Sequence, residues 1–360
     1  MRILEVIQSL GSGGAERLVV DLCNEMVKTQ DVYLLILKEA EHFYLPQVSH
    51  SVHVIQAHIP IGKNIKQFNT CYRLIKELNP DVVHFHSHAR YTILPANIAL
   101  HGHIKFYMTI HSDVKDSYSK GFSGLQVLLS GFLGRTKFIT ISPTNYQQFK
   151  EIYPRFPQIM IKNGRWFPKN KEISNEVKKE VSTYRANENT LVFIHVARCA
   201  EVKNQLLLIK SFNRIIDEGN NATLLVLGSG FDSERGKMIT SLACSRIHFL
   251  GVKENVYDYL LLSDFFLLSS LVEGMPMSII EALLAGIPVI STPVCGAIDA
   301  IEDGCNGVIS SDYSIESYSD AIRKGICNYK ELKNNALTQS SDSSWGIKYC
   351  TEQYLRWFMQ

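Results

Sequence analysis

Two glutamates and a glycine–proline turn lie close together in residues 273–281, which read EGMPMSIIE. The segment follows an apolar strand pattern and opens a helical pattern at Met277–Ala285. A helix N-terminus offers unpaired N–H groups and a partial positive charge, which suit a diphosphate. Gly274 permits close approach of a ligand, whose hydroxyl groups could donate hydrogen bonds to the two carboxylates. The alternative is that Glu281 is an ordinary surface residue and that Glu273 only complements the helix dipole.

A pair of basic residues follows another strand pattern, in the segment RCAEVKN of residues 198–204. Arg198 and Lys203 are five residues apart in a loop at the carboxyl end of that strand, where α/β proteins bind ligands. An arginine can donate two parallel hydrogen bonds to phosphate oxygens, and a lysine acts as a point charge. The pair therefore suits the same diphosphate. A solvated pair of charges is the alternative interpretation.

A glycine-rich loop, LGSGGAER at residues 10–17, lies between the first strand pattern and the first helical pattern. Glycines at such a turn permit positive φ and close approach of a ligand to the backbone. A dinucleotide fingerprint would need G-x-G-x-x-G, and here Glu16 stands at the third glycine position. The loop therefore argues against a nicotinamide cofactor, although Glu16 could also simply begin the helix.

Four histidines, at positions 84, 86, 88 and 111, lie at or just after the ends of two other strand patterns. Alternation along an extended strand would place His84, His86 and His88 on one face, where three imidazoles could hold a metal ion. No further set of histidine and aspartate ligands can be assembled from later strand ends. We therefore predict no metal site and no cofactor.

Short apolar runs alternate with helical patterns along most of the chain, which is typical of a parallel α/β sheet. The predicted strands of the first half are Ile3–Gln8, Val32–Leu37, Val52–Gln56, Asp81–Phe85, Lys105–Ile110, Phe138–Ile141 and Ile159–Ile161. Those of the second half are Leu191–Ala197, Leu224–Leu227, Ile247–Leu250, Phe265–Leu268, Pro288–Ser291 and Gly307–Ile309. Each half is thus expected to form a doubly wound unit, and a cleft between the two would face the carboxyl ends of both sheets.

The predicted domains are residues 1–164 and 190–344, joined by a polar linker at 165–189 that is rich in Lys, Glu and Asn and has room for one exposed helix. The last segment, 345–360, forms an aromatic-rich helix with no strand after it, and we expect it to pack back on the first domain. The apolar segment Gly121–Gly134 is favoured as a core helix of the first domain. Contact with a membrane is the alternative for that segment.

Composition excludes several classes of protein. The 37 basic and 35 acidic residues leave a net charge of +2, without the basic excess of a nucleic-acid binder. The eight cysteines contain no C-x-x-C pair, and no apolar run reaches the roughly 18 residues of a membrane span. The first residues form a strand pattern interrupted by Glu5, not a signal peptide. We therefore expect a cytoplasmic protein, with the inner face of the membrane as a further option.

The segment Ser269–Thr292 resembles the signature of a large family of retaining glycosyltransferases, often called family four. Its members share two facing Rossmann-like domains, the GT-B architecture, and a Glu-x7-Glu motif in the second domain. The resemblance extends over nearly the whole chain. It implies an α/β fold with an interdomain cleft, a donor-binding second domain and an acceptor-binding first domain.

The resemblance also implies roles for individual residues. Arg198 and Lys203 would act on the donor diphosphate, and His111 and Glu273 would complete the catalytic set. The residues implied in donor binding are Gly13, Gly14, Asn163, Gly274, Met275, Pro276, Met277, Ser278 and Glu281. Glu16 and His86 are implied in acceptor binding. Arg165-Trp166, after the hinge motif Asn163-Gly164, departs from the Val-Asp common in the family.

The expected reaction moves a hexose-type sugar from a nucleoside diphosphate, with UDP favoured, to a glycan or lipid-linked acceptor. Basic residues and a helix end would stabilise the leaving diphosphate without a metal ion. Surface polysaccharide or capsule synthesis is the expected setting. Two alternatives stay open: a nucleotide-sugar 2-epimerase on the same fold, and a non-catalytic module that binds sugar nucleotides.

Overall fold

A computed structural model describes residues 1–40, 42–60, 66–86, 89–168 and 172–360 of the chain. His88, which was considered above as a metal ligand, lies outside these residues. The chain divides into two compact units. The first comprises Met1–Trp166 together with Ser344–Gln360, and the second comprises Phe167–Ser343.

The described residues of the first unit form a seven-stranded parallel sheet of order β3-β2-β1-β4-β5-β6-β7. Its strands are β1 (Arg2–Ile7), β2 (Asp31–Lys38), β3 (His53–Ile59), β4 (Val82–His86), β5 (Lys105–Ile110), β6 (Lys137–Thr140) and β7 (Gln158–Met160). The helices between them are α1 (Gly14–Met26), α2 (Lys66–Leu78), α3 (Ala89–Leu100), α4 (Val114–Ser117), α5 (Gly121–Phe132) and α6 (Pro143–Ile152).

The second unit contains a six-stranded parallel sheet of order β10-β9-β8-β11-β12-β13. Its strands are β8 (Leu191–Val196), β9 (Ala222–Leu227), β10 (Ile247–Gly251), β11 (Phe265–Leu268), β12 (Val289–Ser291) and β13 (Gly307–Ile309). Its helices are α7 (Asn175–Thr183), α8 (Gln205–Asp217), α9 (Glu234–Ser241), α10 (Val256–Leu261), α11 (Met277–Leu284), α12 (Cys295–Ala300), α13 (Ile315–Cys327) and α14 (Tyr329–Gln339).

Central strands are buried on both faces because helices cover each face of a sheet. Strands β9 and β11 are buried at every position. In the second unit, Phe193 on β8 stacks on Phe265 of β11 with ring centroids 4.9 Å apart, and Phe212 of α8 packs on Phe193 edge to face. The strands predicted from apolar runs are confirmed in both halves of the chain, with ends displaced by a few residues.

The last helix, α15 (Ile347–Phe358), belongs to the first unit, as predicted. Its Tyr354 and Phe358 side chains are fully buried. The Tyr107 hydroxyl on β5 donates a hydrogen bond of 3.1 Å to the carbonyl oxygen of Trp357. The Phe358 ring also packs on the Tyr107 ring, with centroids 4.7 Å apart, so the first unit covers the aromatic face of the helix.

The described residues of 165–189, the segment predicted as a linker, belong to the compact units instead. The second unit already begins at Phe167, and α7 buries Val177 and Val181 there. Glu180 on the same helix forms an ion pair of 3.0 Å with Lys253 and accepts a hydrogen bond from the Tyr259 hydroxyl. Two valines four residues apart supply enough apolar surface to dock a polar helix, which composition alone did not reveal.

Helix α5 exposes its apolar face, so the favoured prediction of a core helix is wrong. The exposed fractions are 59% for Phe122 and 58% for Phe132, and the other large apolar side chains exposed here are Leu125, Leu128 and Leu133. The face turned inward carries the polar residues Gln126 and Ser130 beside Gly124 and the one buried large apolar residue of α5, Val127.

A buried cation that contacts the inward face of α5 explains why most of its apolar side chains face outward. Arg90 of α3 is almost fully buried, and its Nε donates to Gln126 Oε1 at 3.0 Å. Its Nη2 donates to Ser123 Oγ at 2.8 Å, and its guanidinium lies 4.9 Å from the centre of the Tyr118 ring. A buried guanidinium requires such partners, and the polar face of α5 supplies them.

Candidate active site

The loop between β11 and α11, residues 269–276, is held by hydrogen bonds from the neighbouring strand end. Thr292, just after β12, donates from its hydroxyl to the carbonyl oxygen of Ser270 at 2.6 Å. Its backbone N–H donates to the carbonyl oxygen of Leu268 at 3.0 Å. Gly296 on α12 lies directly against the loop, since a Cβ there would stand 2.3 Å from the Gly274 oxygen. These contacts from Thr292 and α12 hold the loop in place.

Helix α11 begins immediately after Pro276, which has φ −65° and ψ 121° and makes no side-chain capping bond. Pro276 thus precedes the first turn instead of lying within it. The Ile279 N–H donates to the Pro276 oxygen at 3.1 Å, so the N–H groups of Met277 and Ser278 come before the intrahelical bonds. Ser278 is partly exposed, and Glu281 one turn later is partly exposed as well. This end suits an anion.

Lys203 and Glu273 meet although they are 70 residues apart. The Lys203 Nζ lies 2.5 Å from Glu273 Oε1, and the Ser270 hydroxyl donates to the same oxygen at 2.7 Å. The exposed fractions of the two side chains are 23% and 12%, so the pair is only partly solvated. The Ser269 hydroxyl also donates to the Lys203 carbonyl oxygen at 2.8 Å. These bonds join the two predicted phosphate-binding segments into one site.

The loop that carries Arg198 and Lys203 is shaped by two residues at its end. Asn204 adopts left-handed backbone angles, φ 49° and ψ 45°, which asparagine tolerates better than most residues. Gln205 Nε2 donates to the Arg198 carbonyl oxygen at 2.9 Å. The Arg198 side chain is exposed, and no partner for its guanidinium is found among the described residues. It is therefore available to a ligand.

A glycine loop at the end of β9 was missed by sequence reasoning. Gly228 has φ 146°, and a Cβ there would lie 2.0 Å from the Ala197 carbonyl oxygen. Cys199 N–H donates to the Ser229 carbonyl oxygen at 2.7 Å, which ties the Arg198 loop to this second loop. The signal was present as Gly228-Ser229-Gly230 directly after an apolar strand.

His195 lies under the site on β8 and is fully buried. Its Nδ1 lies 2.9 Å from the carbonyl oxygen of Leu267 and donates to it, while Nε2 finds no partner among the described residues. Burial, and secondarily the charge of Lys203, lowers the pKa of His195 to about 4. A neutral imidazole here leaves the positive charge of the site to Arg198 and Lys203.

In the first unit, the glycine-rich loop leads from β1 into α1. Gly13 is the N-cap residue, with φ −95° and ψ 165°, and Gly14 is the first helical residue. A Cβ on Gly13 would stand 2.2 Å from Glu16 Oε2, so the glutamate folds back over the loop. Asn163 is buried near Trp166, where the first segment of the first unit ends.

A second cluster of predicted residues lies at the carboxyl ends of β4 and β5. His86 Nδ1 lies 2.9 Å from His111 Nε2, and His86 Nε2 lies 2.8 Å from Glu5 Oε2. His84 Nδ1 lies 3.0 Å from Glu5 Oε1. His84 and His86 therefore share a face, as predicted, but sequence reasoning did not include Glu5.

The ionisation of this cluster follows from burial and mutual contact. Burial alone would raise the pKa of Glu5, but His84 and His86 outweigh it and hold that pKa at about 2. Burial, together with His84, lowers the pKa of His86 to about 4. Burial and the neighbouring imidazoles also hold the pKa of His111 well below its ordinary value. The carboxylate is thus ionised and both histidines are neutral near pH 7.

Glu5, His84 and His86 are the group of possible metal ligands that the described part of the chain brings together, with ligand atoms within 4.8 Å of one another. All three side chains are fully buried. Their ligand atoms are engaged in hydrogen bonds with one another, and this accounts for their closeness.

Two family models match the chain. The model of the "Glycosyl transferases group 1" matches residues 176–339, and that of "Glycosyltransferase Family 4" matches residues 12–164. The chain belongs to the group 1 glycosyltransferases. It is therefore a transferase enzyme.

Curated relatives of this glycosyltransferase include two that differ in coverage. An uncharacterized glycosyltransferase of Methanocaldococcus jannaschii is 29% identical over 245 residues, which are 64% of this chain and 60% of that protein. A Campylobacter jejuni α-1,4-N-acetyl-D-galactosaminyltransferase that is named for a diNAcBac-PP-undecaprenol acceptor is 25% identical over 372 residues, 99% of this chain and 98% of that protein.

Solved structures show the same fold. HepE of Anabaena, in complex with UDP and glucose, superposes with a TM-score of 0.81 at 18% identity, covering 100% of this chain and 99% of that one. WaaG, a glycosyltransferase involved in lipopolysaccharide biosynthesis, gives a TM-score of 0.75 at 15% identity, with 99% of each chain covered. The glycosyltransferase thus has the GT-B fold of two Rossmann-like units.

In this glycosyltransferase the predicted residues of the second unit converge at one end of its sheet. For the first unit, one prediction needs correction. His86 was expected to contact an acceptor, but it is fully buried and both ring nitrogens are engaged. The structure places it behind His111, which is partly exposed. No helix formed by the described residues has the length and apolar character needed to cross a bilayer.

Proposed function

We propose that the chain transfers a hexose-type sugar from a UDP-sugar to a glycan or lipid-linked acceptor, with retention of anomeric configuration, in surface polysaccharide synthesis. The observation that carries the proposal is the joined site of the second unit. There the Lys203–Glu273 pair, the exposed Arg198 and the uncapped end of α11 lie on loops that hydrogen bonds hold together. These groups combine cations for a diphosphate with carboxylates for hydroxyls.

The chemical demand of the reaction is the negative charge that develops on the leaving diphosphate. As the bond from the anomeric carbon to the phosphate oxygen breaks, Arg198, Lys203 and the α11 N–H groups would stabilise that charge. The acceptor oxygen would bond to the anomeric carbon on the same face and pass its proton to the leaving phosphate oxygen. No metal ion enters this scheme.

The Lys203–Glu273 pair has a specific place in this scheme. A diphosphate oxygen would compete with Glu273 for the lysine, since phosphate carries more charge and also reaches Arg198. Glu273, released from the lysine but still bonded to Ser270, would then accept hydrogen bonds from sugar hydroxyls. Glu281, which lies on α11, would accept hydrogen bonds from the ribose hydroxyls. Binding of the nucleotide would in this way prepare the carboxylate for the sugar.

Two relationships support the choice of a UDP-sugar. HepE was crystallised with UDP, and also with UDP-glucose. An Escherichia coli relative, 23% identical over 78% of this chain, is named as a UDP-Gal-dependent α-1,3-galactosyltransferase. In the first unit we propose Gly13, Gly14 and Asn163 for donor binding and Glu16 for acceptor binding. His111 completes the proposed catalytic set.

Calorimetric titration with UDP, GDP, ADP and NAD tests the donor site. Calorimetry is preferred to intrinsic fluorescence because Trp166, Trp345 and Trp357 all belong to the first unit. We expect UDP to bind and Arg198→Gln to weaken it about 10- to 100-fold, the value of a charge-assisted hydrogen bond. Lys210→Gln, which removes an exposed cation from α8 of the same unit, is the matched control and should bind UDP normally.

Product analysis completes the test. With donor alone, a transferase releases at most free sugar and UDP, whereas an epimerase converts the sugar nucleotide without an acceptor. Binding of NAD alone, or of none of the four nucleotides, would contradict the proposed donor. An inverted linkage in the product would contradict retention only.

We also propose that the exposed apolar face of α5 contacts the membrane that carries a lipid-linked acceptor. The support is the exposure of Phe122 and Phe132, with the exposed cations Lys120 and Arg135 at the two ends of the helix. The Campylobacter relative, which matches over almost its whole length, is named for an undecaprenol-linked acceptor.

Sedimentation with vesicles of anionic lipid tests this contact. We expect Phe122→Ser combined with Phe132→Ser to abolish binding, because burial of an exposed aromatic ring contributes about 1.5–3 kcal/mol. The control pair, Met238→Ser with Leu242→Ser, changes comparably exposed apolar residues of the second unit and should sediment like the parent. Equal loss in both pairs, or no binding by the parent, would contradict a specific membrane face.

A further inference from the structure

Neighbouring strands of the first sheet bring a buried carboxylate to two histidines. Glu5 of β1 stands opposite His84 in the parallel register of β1 and β4. His86, two residues later, lies on the same face, and its ring centre is 4.2 Å from that of His84. All three side chains have 0% exposure. Buried polar groups are retained only when they are satisfied, so the protons in this cluster have a defined arrangement.

The ionised carboxylate of Glu5 sets that arrangement, because it can only accept hydrogen bonds. His86 must therefore carry its proton on Nε2, which lies 2.8 Å from Glu5. Its Nδ1 is then a bare acceptor, and the group 2.9 Å away is Nε2 of His111. His111 must donate from Nε2, which leaves its own Nδ1 without a proton.

We propose that Glu5 and His86 are positioning residues that hold His111 in the Nε2–H tautomer, so that its Nδ1 accepts a hydrogen bond from a ligand hydroxyl. His111 is the partly exposed end of this chain, whereas the other members are fully buried. The ligand that fits is a neutral alcohol group such as that of a sugar, not a phosphate. This inference deepens the proposed function and rests on it for the identity of the ligand.

A second branch of the network offers an internal comparison. His84 Nδ1 donates to Glu5, and its Nε2 lies 2.7 Å from the Thr109 hydroxyl, which in turn lies 3.2 Å from the Tyr354 hydroxyl. That branch ends on the C-terminal helix and does not reach His111. His84 and His86 therefore match in strand, burial and contact with Glu5, but only His86 leads to His111.

Nitrogen NMR of the full-length protein labelled with ¹⁵N-histidine tests the tautomers directly, because protonated and bare ring nitrogens resonate far apart. The expected result for both His86 and His111 is a protonated Nε2 and a bare Nδ1. A proton on His111 Nδ1, or on both of its nitrogens, at neutral pH would overturn the proposal. This measurement needs no variant.

Two substitutions then test the connection. In His86→Leu we expect His111 to lose its single tautomer and to show averaged signals from both. In Thr109→Val, which interrupts the second branch beyond His84 and leaves both histidine contacts of Glu5 in place, the His111 signals should stay as in the parent. Tryptophan fluorescence reports whether the first unit is folded in each variant. Unaltered His111 signals in a folded His86→Leu protein would overturn the proposal.

Turnover separates this inference from the proposed function. His86→Leu should lower kcat/KM for transfer at least tenfold more than Thr109→Val, while both bind UDP with the parent affinity. Equal losses in the two variants would overturn the positioning role. Absence of UDP binding in the parent would instead contradict the proposed donor and leave the tautomer result to stand by itself.

Discussion

The buried histidine under the donor site should make the second unit sensitive to acid. Burial lowers the pKa of His195 from 6.5 to about 4. In the unfolded chain His195 therefore binds a proton below pH 6.5, whereas in the folded unit it binds one only below about pH 4. Stability is thus fully present above pH 6.5 and is lost as the pH falls toward 4. The loss between pH 7 and pH 5 is about 2 kcal/mol, and the limit at lower pH is about 3 kcal/mol.

The substitution that tests this is His195→Asn. An asparagine cannot titrate, and its side-chain N–H occupies the position from which Nδ1 donates to Leu267. We expect it to lower stability at pH 7 by about 1–3 kcal/mol, because the smaller side chain leaves a cavity. The decline between pH 7 and pH 5 should nevertheless be about 2 kcal/mol shallower than in the parent.

Native-state hydrogen exchange suits this measurement because it resolves the two units. Peptides covering β8 and β9 report opening of the second unit, after correction for the intrinsic exchange rate at each pH. The parent should show about a 20- to 30-fold rise in the opening constant between pH 7 and pH 5 beyond that of the variant. Parallel pH dependence in the two proteins would refute the assignment of a depressed pKa to His195. Other titrating groups cancel because both proteins retain them.

Three further predictions concern single positions. Gly296→Ala would place a Cβ 2.3 Å from the Gly274 oxygen, so the displaced loop should weaken UDP binding more than tenfold in calorimetry; unchanged affinity would contradict a donor loop at 269–276. Asn204→Ala should cost about 1–2 kcal/mol in urea unfolding because its φ is positive, whereas Asn204→Gly should not destabilise; equal losses would contradict the backbone argument. Tyr354→Phe removes the hydroxyl that contacts Thr109 and should cost about 1 kcal/mol in unfolding followed by tryptophan fluorescence; no change would show that this contact contributes nothing.

Local patterns in the sequence predicted the strands because strand and helix periodicities are properties of the backbone. The run at Phe265–Leu268 is predicted at its observed bounds, since it is apolar on both faces and flanked by polar residues. The edge strand β3 is observed at His53–Ile59 instead of Val52–Gln56. Most of its side chains are exposed or half-buried, so its apolar pattern is weak.

The candidate donor site was largely readable for a related reason. In a parallel α/β sheet the loops after the strands gather at one edge, so Arg198, Lys203 and Glu273 could be expected together from their positions alone. The specific bond from Lys203 to Glu273 could not be predicted, because it depends on loop conformations set by Asn204 and Thr292.

The sequence by itself thus determined the order of elements, the two-unit α/β organisation and the segments that carry the candidate chemistry. Only the tertiary structure decided which side chains meet over long distances. Glu5 was noted merely as a break in an apolar run, yet the pairing of β1 with β4 sets it against His84, 79 residues away. In the same way, the contact with Arg90 decided which face of α5 is buried. Such contacts depend on strand register and on satisfying buried charge, which no local periodicity encodes.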